Sequence, residues 1–166
     1  HPDMIERAYA NGVPMGGDLI NQNSSQQTPS FVVSAMKDPE GANLDRIQIV
    51  KGWINKDGSR SEKVFNVAWS DDRQIDNSGS IPDLDSTVNT ETATYSNSVG
   101  ASELSVVWTD PSFDANLPAV YYARVLEIET PRWTTYDAVR FSTDLPEDVP
   151  AAIKERAYTS PIWYTP

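Results

Sequence analysis

Residues 117–128, LPAVYYARVLEI, decide how the chain is read. In an extended backbone Tyr122, Arg124, Leu126 and Ile128 project to one side and Tyr121, Ala123 and Val125 to the other, with aromatic and β-branched residues on both. That pattern predicts a central strand. Ala119, Tyr121 and Ala123 also have the spacing of a tyrosine corner, in which a Tyr two residues before a buried Cys ties its strand to neighbouring backbone. Ala123 stands where that Cys would be.

Upstream, Ser102–Trp108 places Leu104, Val106 and Trp108 in phase as another strand, joined to the central one through Asp110–Pro118. Arg46–Ile54 and Val64–Trp69 alternate on either side of the turn signal Lys56-Asp57-Gly58 and predict a hairpin. Between these, Ser70–Asn89 is polar, carries aspartates at 71, 72, 76, 83 and 85, and reads as a long surface excursion; Thr92–Tyr95 follows as a short edge strand. Phe31–Met36 is a continuous apolar run suited to a strand buried on both faces, turned by Asp38–Gly41. At the start, Pro2–Ala10 predicts a short helix with Met4, Ile5, Ala8 and Tyr9 inward and Asn11-Gly12 as a left-handed stop. Residues 12–19, GVPMGGDL, form a glycine-rich loop whose amides suit an anion, but the Lys-Ser/Thr ending of a phosphate loop is missing.

Downstream, PRWTTYD (131–137) reads as a loop, Ala138–Phe141 as a short strand, and Pro150–Glu155 as a brief helix capped by Asp148. Ala157–Tyr164 closes the chain as a final edge strand broken by Pro161. The sum is a mostly β protein, an antiparallel immunoglobulin-like β-sandwich with one or two short helices. Residues 1–30 form an N-terminal helix and glycine-rich linking segment. Residues 31–166 form the sandwich, with a long insertion at 129–157 before the last strand.

Composition narrows the function. At 166 residues one domain buries roughly two-thirds of its unfolded surface. A formal net charge of -11 repels phosphate backbones and anionic lipid, so nucleic acid and membrane are not expected partners. With no cysteine there is no disulfide, thiolate metal site or Cys nucleophile. No apolar run approaches the about 18 residues of a membrane span, and the chain reads as soluble, the periplasmic or secreted side being favoured. An opening His1-Pro2 without Met reads as a piece of something longer.

Seven stretches together carry a family resemblance: GVPMGGDL (12–19), VSAMKDPEGANLDRIQIVKGW (33–53), VAWSDDR (67–73), ELSVVWTDP (103–111), YYARVLEI (121–128), PRWTTYD (131–137) and ERAYTSPIWY (155–164). They resemble the C-terminal part of the bacterial family called domain of unknown function 3604. The resemblance implies a larger protein whose N-terminal region is similar to a PHP-type metal-dependent phosphoesterase, a barrel gathering His and Asp around metal ions. A YYARV strand paired with a final SPIWY strand is also similar to small β-domains appended to other PHP-like proteins. Those join the two strands by a short loop, whereas here 129–157 intervenes.

Within the chain itself the chemistry is sparse. His1 is the only histidine, so a Ser-His-Asp triad or a His-based metal centre has no members to assemble, and no cofactor is expected in the chain; a divalent metal belongs to the N-terminal region the resemblance implies. The aspartates of 71–85 do not follow a DxDxDG calcium loop, and Glu103 with Glu127 has no demonstrable cleft for a glycosidase pair. Five tryptophans suggest a sugar platform, but Trp53, Trp69 and Trp108 are in phase with strand interiors and Trp163 is ambiguous. Trp133 differs, standing beside Arg132, Tyr136 and Asp137 outside the predicted sheets.

Two readings follow. In the first the chain is a non-catalytic accessory domain packing on its own N-terminal catalytic region, with Arg132, Trp133, Tyr136 and Asp137, and Met15, Gly16, Gly17 and Asp18 from the glycine-rich loop, at the rim of the missing site. In the second it is a carbohydrate-binding module that takes a small molecule or glycan on the aromatics around Trp133.

Overall fold

A computed structural model describes residues 4–20 and 28–166. The organising strand is β6, Ala119–Pro131, at 13 residues three longer at its C-terminal end than the apolar run predicts. Around it lie α1 (Met4–Asn11), β1 (Asp18–Ile20), β2 (Ser30–Met36), β3 (Leu44–Ile54), β4 (Arg60–Trp69), β5 (Glu103–Thr109), α2 (Trp133–Phe141), β7 (Ala152–Tyr158) and β8 (Ile162–Thr165). One sheet runs β1-β8-β6-β3-β4, with β7 also on β6, and a second pairs β2 with β5. Every pairing is antiparallel except β1 with β8, so the large sheet is mixed at one edge.

Register assigns the faces. Ile47, Ile49, Lys51 and Trp53 of β3 stand opposite Val125, Ala123, Tyr121 and Ala119 of β6. This inner face meets β2–β5 in a core of Phe31, Ile49, Ala119, Tyr121 and Tyr164, with Trp53, Val67 and Trp108 packed against it. The Phe31 ring lies 4.7 Å from Tyr121 and 5.9 Å from Trp108, and Phe65 lies 4.8 Å from Trp108. Trp53 and Trp108 are therefore packed as their strand phase predicts; Trp69 is not, because a bulge in the β3–β4 register sets it opposite Arg46 on the outer face, where its Nε1 donates to the Arg73 carbonyl at 2.9 Å, and Trp163 is half exposed on β8. The outer face alternates with the inner one and carries Arg46, Gln48 and Val50 opposite Leu126, Arg124 and Tyr122.

Several expectations need correction. β2 is buried on one face only, because a two-stranded sheet has nothing outside it and Val32 and Met36 stay exposed. Thr92–Tyr95 contributes one isolated bridge, Asn89 to Thr94, rather than a strand. Gly12 does not end α1 in a left-handed conformation; Asn11 Nδ2 closes the last turn on the Arg7 carbonyl at 3.0 Å, and Tyr9 points outward. Residues 1–3 and 21–27, and the side chains of Met4 and Ile5, lie outside the described residues.

The largest change is after β6. Residues 133–141 are a helix where a loop and strand are expected, and the strand that ends at Tyr158 begins at Ala152, within the stretch 150–155 where a helix is expected. Long-range pairing overrides local preference there: Glu129, Thr130 and Pro131 pair with Lys154, Ile153 and Ala152. The final strand divides at Pro161, and both halves pair with β6, β7 along its second part and β8 at Ala119–Tyr121.

Candidate functional site

The candidate surface at α2 starts from how that helix is held. Arg132 stands at its N-cap without a side-chain cap, and Ser142 ends it in the left-handed conformation with φ 52°. Two bonds to the Ala151 carbonyl, from the Arg132 amide at 2.9 Å and the Thr135 hydroxyl at 2.7 Å, fix the helix to the entry of β7. Thr135 is its buried residue, so the opposite side faces out. That side presents Trp133, Tyr136 and Phe141, exposed at 66%, 44% and 65%, with Asp137 and Arg140 among them. An open depression of about 380 Å³ flanks the helix, walled by Thr135, Val139 and Ser142 and by Thr90 and Glu91 just after the excursion. Nearby, burial raises the pKa of the Tyr95 hydroxyl, with Tyr136, Glu127 and Asp38 adding to it.

Arg132, Trp133, Tyr136 and Asp137 thus share one short helical segment, as their spacing requires. The glycine-rich loop is elsewhere. Its Gly16 amide donates to the Pro161 carbonyl at 3.0 Å, and Asp18 lies beside Trp163, which pairs with Val120. Val120 and Arg132 bracket the length of β6, about 40 Å of extended chain. Met15, Gly16, Gly17 and Asp18 therefore sit at one end of the sheet and α2 at the other, and the two groups do not rim one small site.

Asp71, Arg73, Asp76 and Asp83 of the excursion are structural fasteners. Asp76 Oδ1 caps its own turn by accepting from the Ser78 and Ser80 amides, and Asp71 Oδ2 accepts from the Gly100 amide at 2.9 Å. Asp83 bridges Arg46 and Lys154, each at 2.7 Å. Asp45 is fully buried with Arg46, Arg73 and Lys154 at 3.1, 2.7 and 3.1 Å. Burial would raise the Asp45 pKa, but the bonds from Arg46, Arg73 and Lys154 prevail and hold it below its ordinary value. Among the described residues no group of three or more His, Cys, Asp or Glu is placed to hold a metal ion, and no helix is long and apolar enough to cross a membrane. Glu103 and Glu127 fall on different sheets; burial, then the neighbouring Glu155, raises the pKa of Glu127.

A second polar centre escaped the sequence reading. Lys51 Nζ donates to Asp110 Oδ2 at 2.6 Å and to the Ser112 carbonyl at 2.9 Å, and Tyr121 Oη donates to the same Asp110 oxygen at 2.8 Å. All three side chains are buried. A tyrosine corner would have the Tyr121 hydroxyl bond neighbouring backbone; here its acceptor is a carboxylate. The ammonium also lies 5.1 Å from the Trp53 ring centre and 5.7 Å from that of Tyr121, beside a cavity of about 20 Å³, room for one water. Burial, reinforced by the Asp110 carboxylate, pushes the Tyr121 pKa upward. The missed signal was Lys51 itself, in the inward phase with Ile47, Ile49 and Trp53, where a cation requires a buried partner.

The model of the family described as Protein of unknown function (DUF3604) matches residues 1–166. The chain belongs to this family. No curated protein and no solved structure matches it. The match spans every strand and α2, the segment 129–157 included.

Proposed function

We propose that this DUF3604 chain is a non-catalytic C-terminal accessory domain of a PHP-like metal-dependent hydrolase, an immunoglobulin-like sandwich that packs on the metal-binding barrel through the outward face of α2. The observation that carries the reading is the solvent exposure of Trp133, Tyr136 and Phe141 on a helix anchored to β7 through Thr135 and Arg132. Aromatics mixed with arginine are what protein interfaces concentrate at their centres, and free in solution this face leaves three large rings in water. Metal and substrate chemistry belong to the barrel; the sandwich supplies position. The proposal rests on α2 alone, since the glycine-rich loop lies about 40 Å along β6.

The test compares Trp133→Ala in the isolated chain and in the full-length protein. In the chain the melting temperature stays within about 2 °C, as for a surface substitution. In the full-length protein, phosphoesterase activity with divalent metal falls several-fold, and the separated N-terminal region loses affinity for the variant chain in trans. Unchanged activity together with unchanged binding in trans refutes the reading.

The carbohydrate-binding alternative draws on the same rings, because Trp133 and Tyr136, one turn apart, offer exposed stacking faces, although the depression lies on the Thr135 side of the helix, away from them. It requires saturable change of tryptophan fluorescence with a glycan, lost in Trp133→Ala. Flat titrations across a broad glycan panel remove it.

A further inference from the structure

We propose that the outer face of the large sheet carries an oxyanion-binding site, in which the two terminal nitrogens of Arg124 grip the carboxylate or phosphate group of a small ligand whose ring lies against Tyr122 and Tyr158. The argument begins with the bond that fixes the arginine. Arg124 Nε donates to Gln48 Oε1 at 2.8 Å, Gln48 Nε2 donates to Asn66 Oδ1 at 2.8 Å, and Asn66 Nδ2 donates to the Gly79 carbonyl at 2.8 Å. This relay crosses β6, β3 and β4 and ends on the excursion. Gln48 is buried and both ends of its amide are engaged, so its oxygen can only face Arg124.

The consequence is an oriented fork. With Nε occupied, the Nη1 and Nη2 pair is the edge of the guanidinium left to present, and it makes no hydrogen bond among the described residues. That pair of parallel N–H donors matches the two oxygens of a carboxylate or phosphate. An arginine already held at Nε loses less freedom on binding than a surface side chain that must first be immobilised.

The surroundings complement an anion. Arg124 pairs across β6–β7 with Tyr158, and the next pair in register on that face is Leu126 with Arg156, so a second guanidinium lies diagonal to the first. Neither arginine has a carboxylate within 4.0 Å among the described residues, although the chain has 24 acidic against 13 basic residues. Tyr122 precedes Arg124 by two residues on the same face, and its ring centre lies 6.1 Å from that of Tyr158, which is more than half exposed. Two adjacent rings beside an oriented fork suit a ring-bearing oxyanion better than a bare ion.

The chain is titrated at low salt with inorganic phosphate, phenyl phosphate and benzoate, followed by calorimetry and by the Arg124 Nε–H resonance. Phenyl phosphate or benzoate saturates and shifts that resonance, and whichever binds more tightly identifies the anionic group. Arg124→Lys keeps the charge but loses the fork, weakening binding on the order of tenfold, the worth of one bidentate contact. Tyr158→Ser, at an exposed position, weakens the ring-bearing ligands and leaves inorganic phosphate unchanged. If Arg124→Lys fails to fold, the resonance shift and the Tyr158→Ser comparison decide. Absence of saturable binding by all three compounds, or equal binding by a folded Arg124→Lys, overturns the proposal.

Discussion

Replacing Lys51 by Met tests whether the Lys51–Asp110–Tyr121 centre holds the two sheets together. The substitution keeps much of the side-chain volume and removes the ammonium 2.6 Å from Asp110, leaving a buried carboxylate with the Tyr121 hydroxyl and with the Ser112 amide at 2.8 Å. Loss of one partner from a buried ion pair costs about 3–5 kcal/mol, and the surviving donors place this case near the lower end. For a domain of this size about 3 kcal/mol corresponds to a melting temperature roughly 6–12 °C lower. The pH dependence is more diagnostic. In the native chain burial raises the Asp110 pKa, but the bonds from Lys51, Ser112 and Tyr121 outweigh it and the net shift is downward. Its contribution is therefore complete above the unfolded value of about 4 and is lost as pH falls through the lower native value. Without Lys51 burial prevails, the pKa rises, and the folded chain is penalised increasingly as pH climbs above about 4. Urea denaturation from pH 4 to 7 should show the gap between variant and native chain widening with pH, and the gap should shrink in an Asp110→Asn background. A loss below about 1 kcal/mol, or one independent of pH over that range, refutes the reasoning.

Two further outcomes concern the excursion. Gly100 has φ +83°, and a Cβ there would lie 2.7 Å from Asn43 Cβ and 2.8 Å from Ile128 Cγ2, whereas Gly58, with φ +82°, has nothing within 4 Å of such an atom. Gly100→Ala should therefore cost about 1–3 kcal/mol more than Gly58→Ala in paired thermal melts, and equal losses would show that the strand ends yield freely. Acid should release the excursion early: Asp45 is held below its ordinary pKa by Arg46, Arg73 and Lys154 against its burial, so this fastening is lost as pH falls below about 4. Hydrogen exchange on descending from pH 5 should accelerate at 70–85 before β3 or β6, and simultaneous acceleration of all three would disprove the order.

What could be read from the sequence follows the range of the forces involved. The β3–β4 hairpin and β5 were legible because alternation and a local turn specify them, and Gly58 adopts the left-handed conformation that turn needs. β7 was not, since Ile153, Lys154, Glu155 and Arg156 carry no strand pattern of their own and pair only because β6 offers a free edge to residues beyond the intervening helix. α2 hid for the converse reason, with two threonines in its first turn and no side-chain cap on Arg132. The grouping of Arg132, Trp133, Tyr136 and Asp137 survived the wrong secondary structure, because residues that close in sequence stay together in loop or helix. The separation of GVPMGGDL from α2 was not legible in the sequence, because it depends on β7 and β8 sharing one edge of β6 at successive positions.

That shared edge explains where binding can reside. Along β6, Tyr121 and Ala123 face the second sheet and are buried, and any change there is felt by the core. Tyr122 and Arg124 face away, yet Arg124 is not a free surface residue, because Gln48 and Asn66 convert the middle of an open sheet face into a polar layer tied to Gly79. Gln48 is buried, and among the described residues its side chain bonds to Arg124 and Asn66 alone. Burying an amide solely to aim one arginine costs desolvation that an apolar residue beside Val50 would avoid. The alternation of a single strand thus divides the roles: inward positions of β6 carry the core, and outward positions carry the fixed arginine on which the proposed oxyanion site rests.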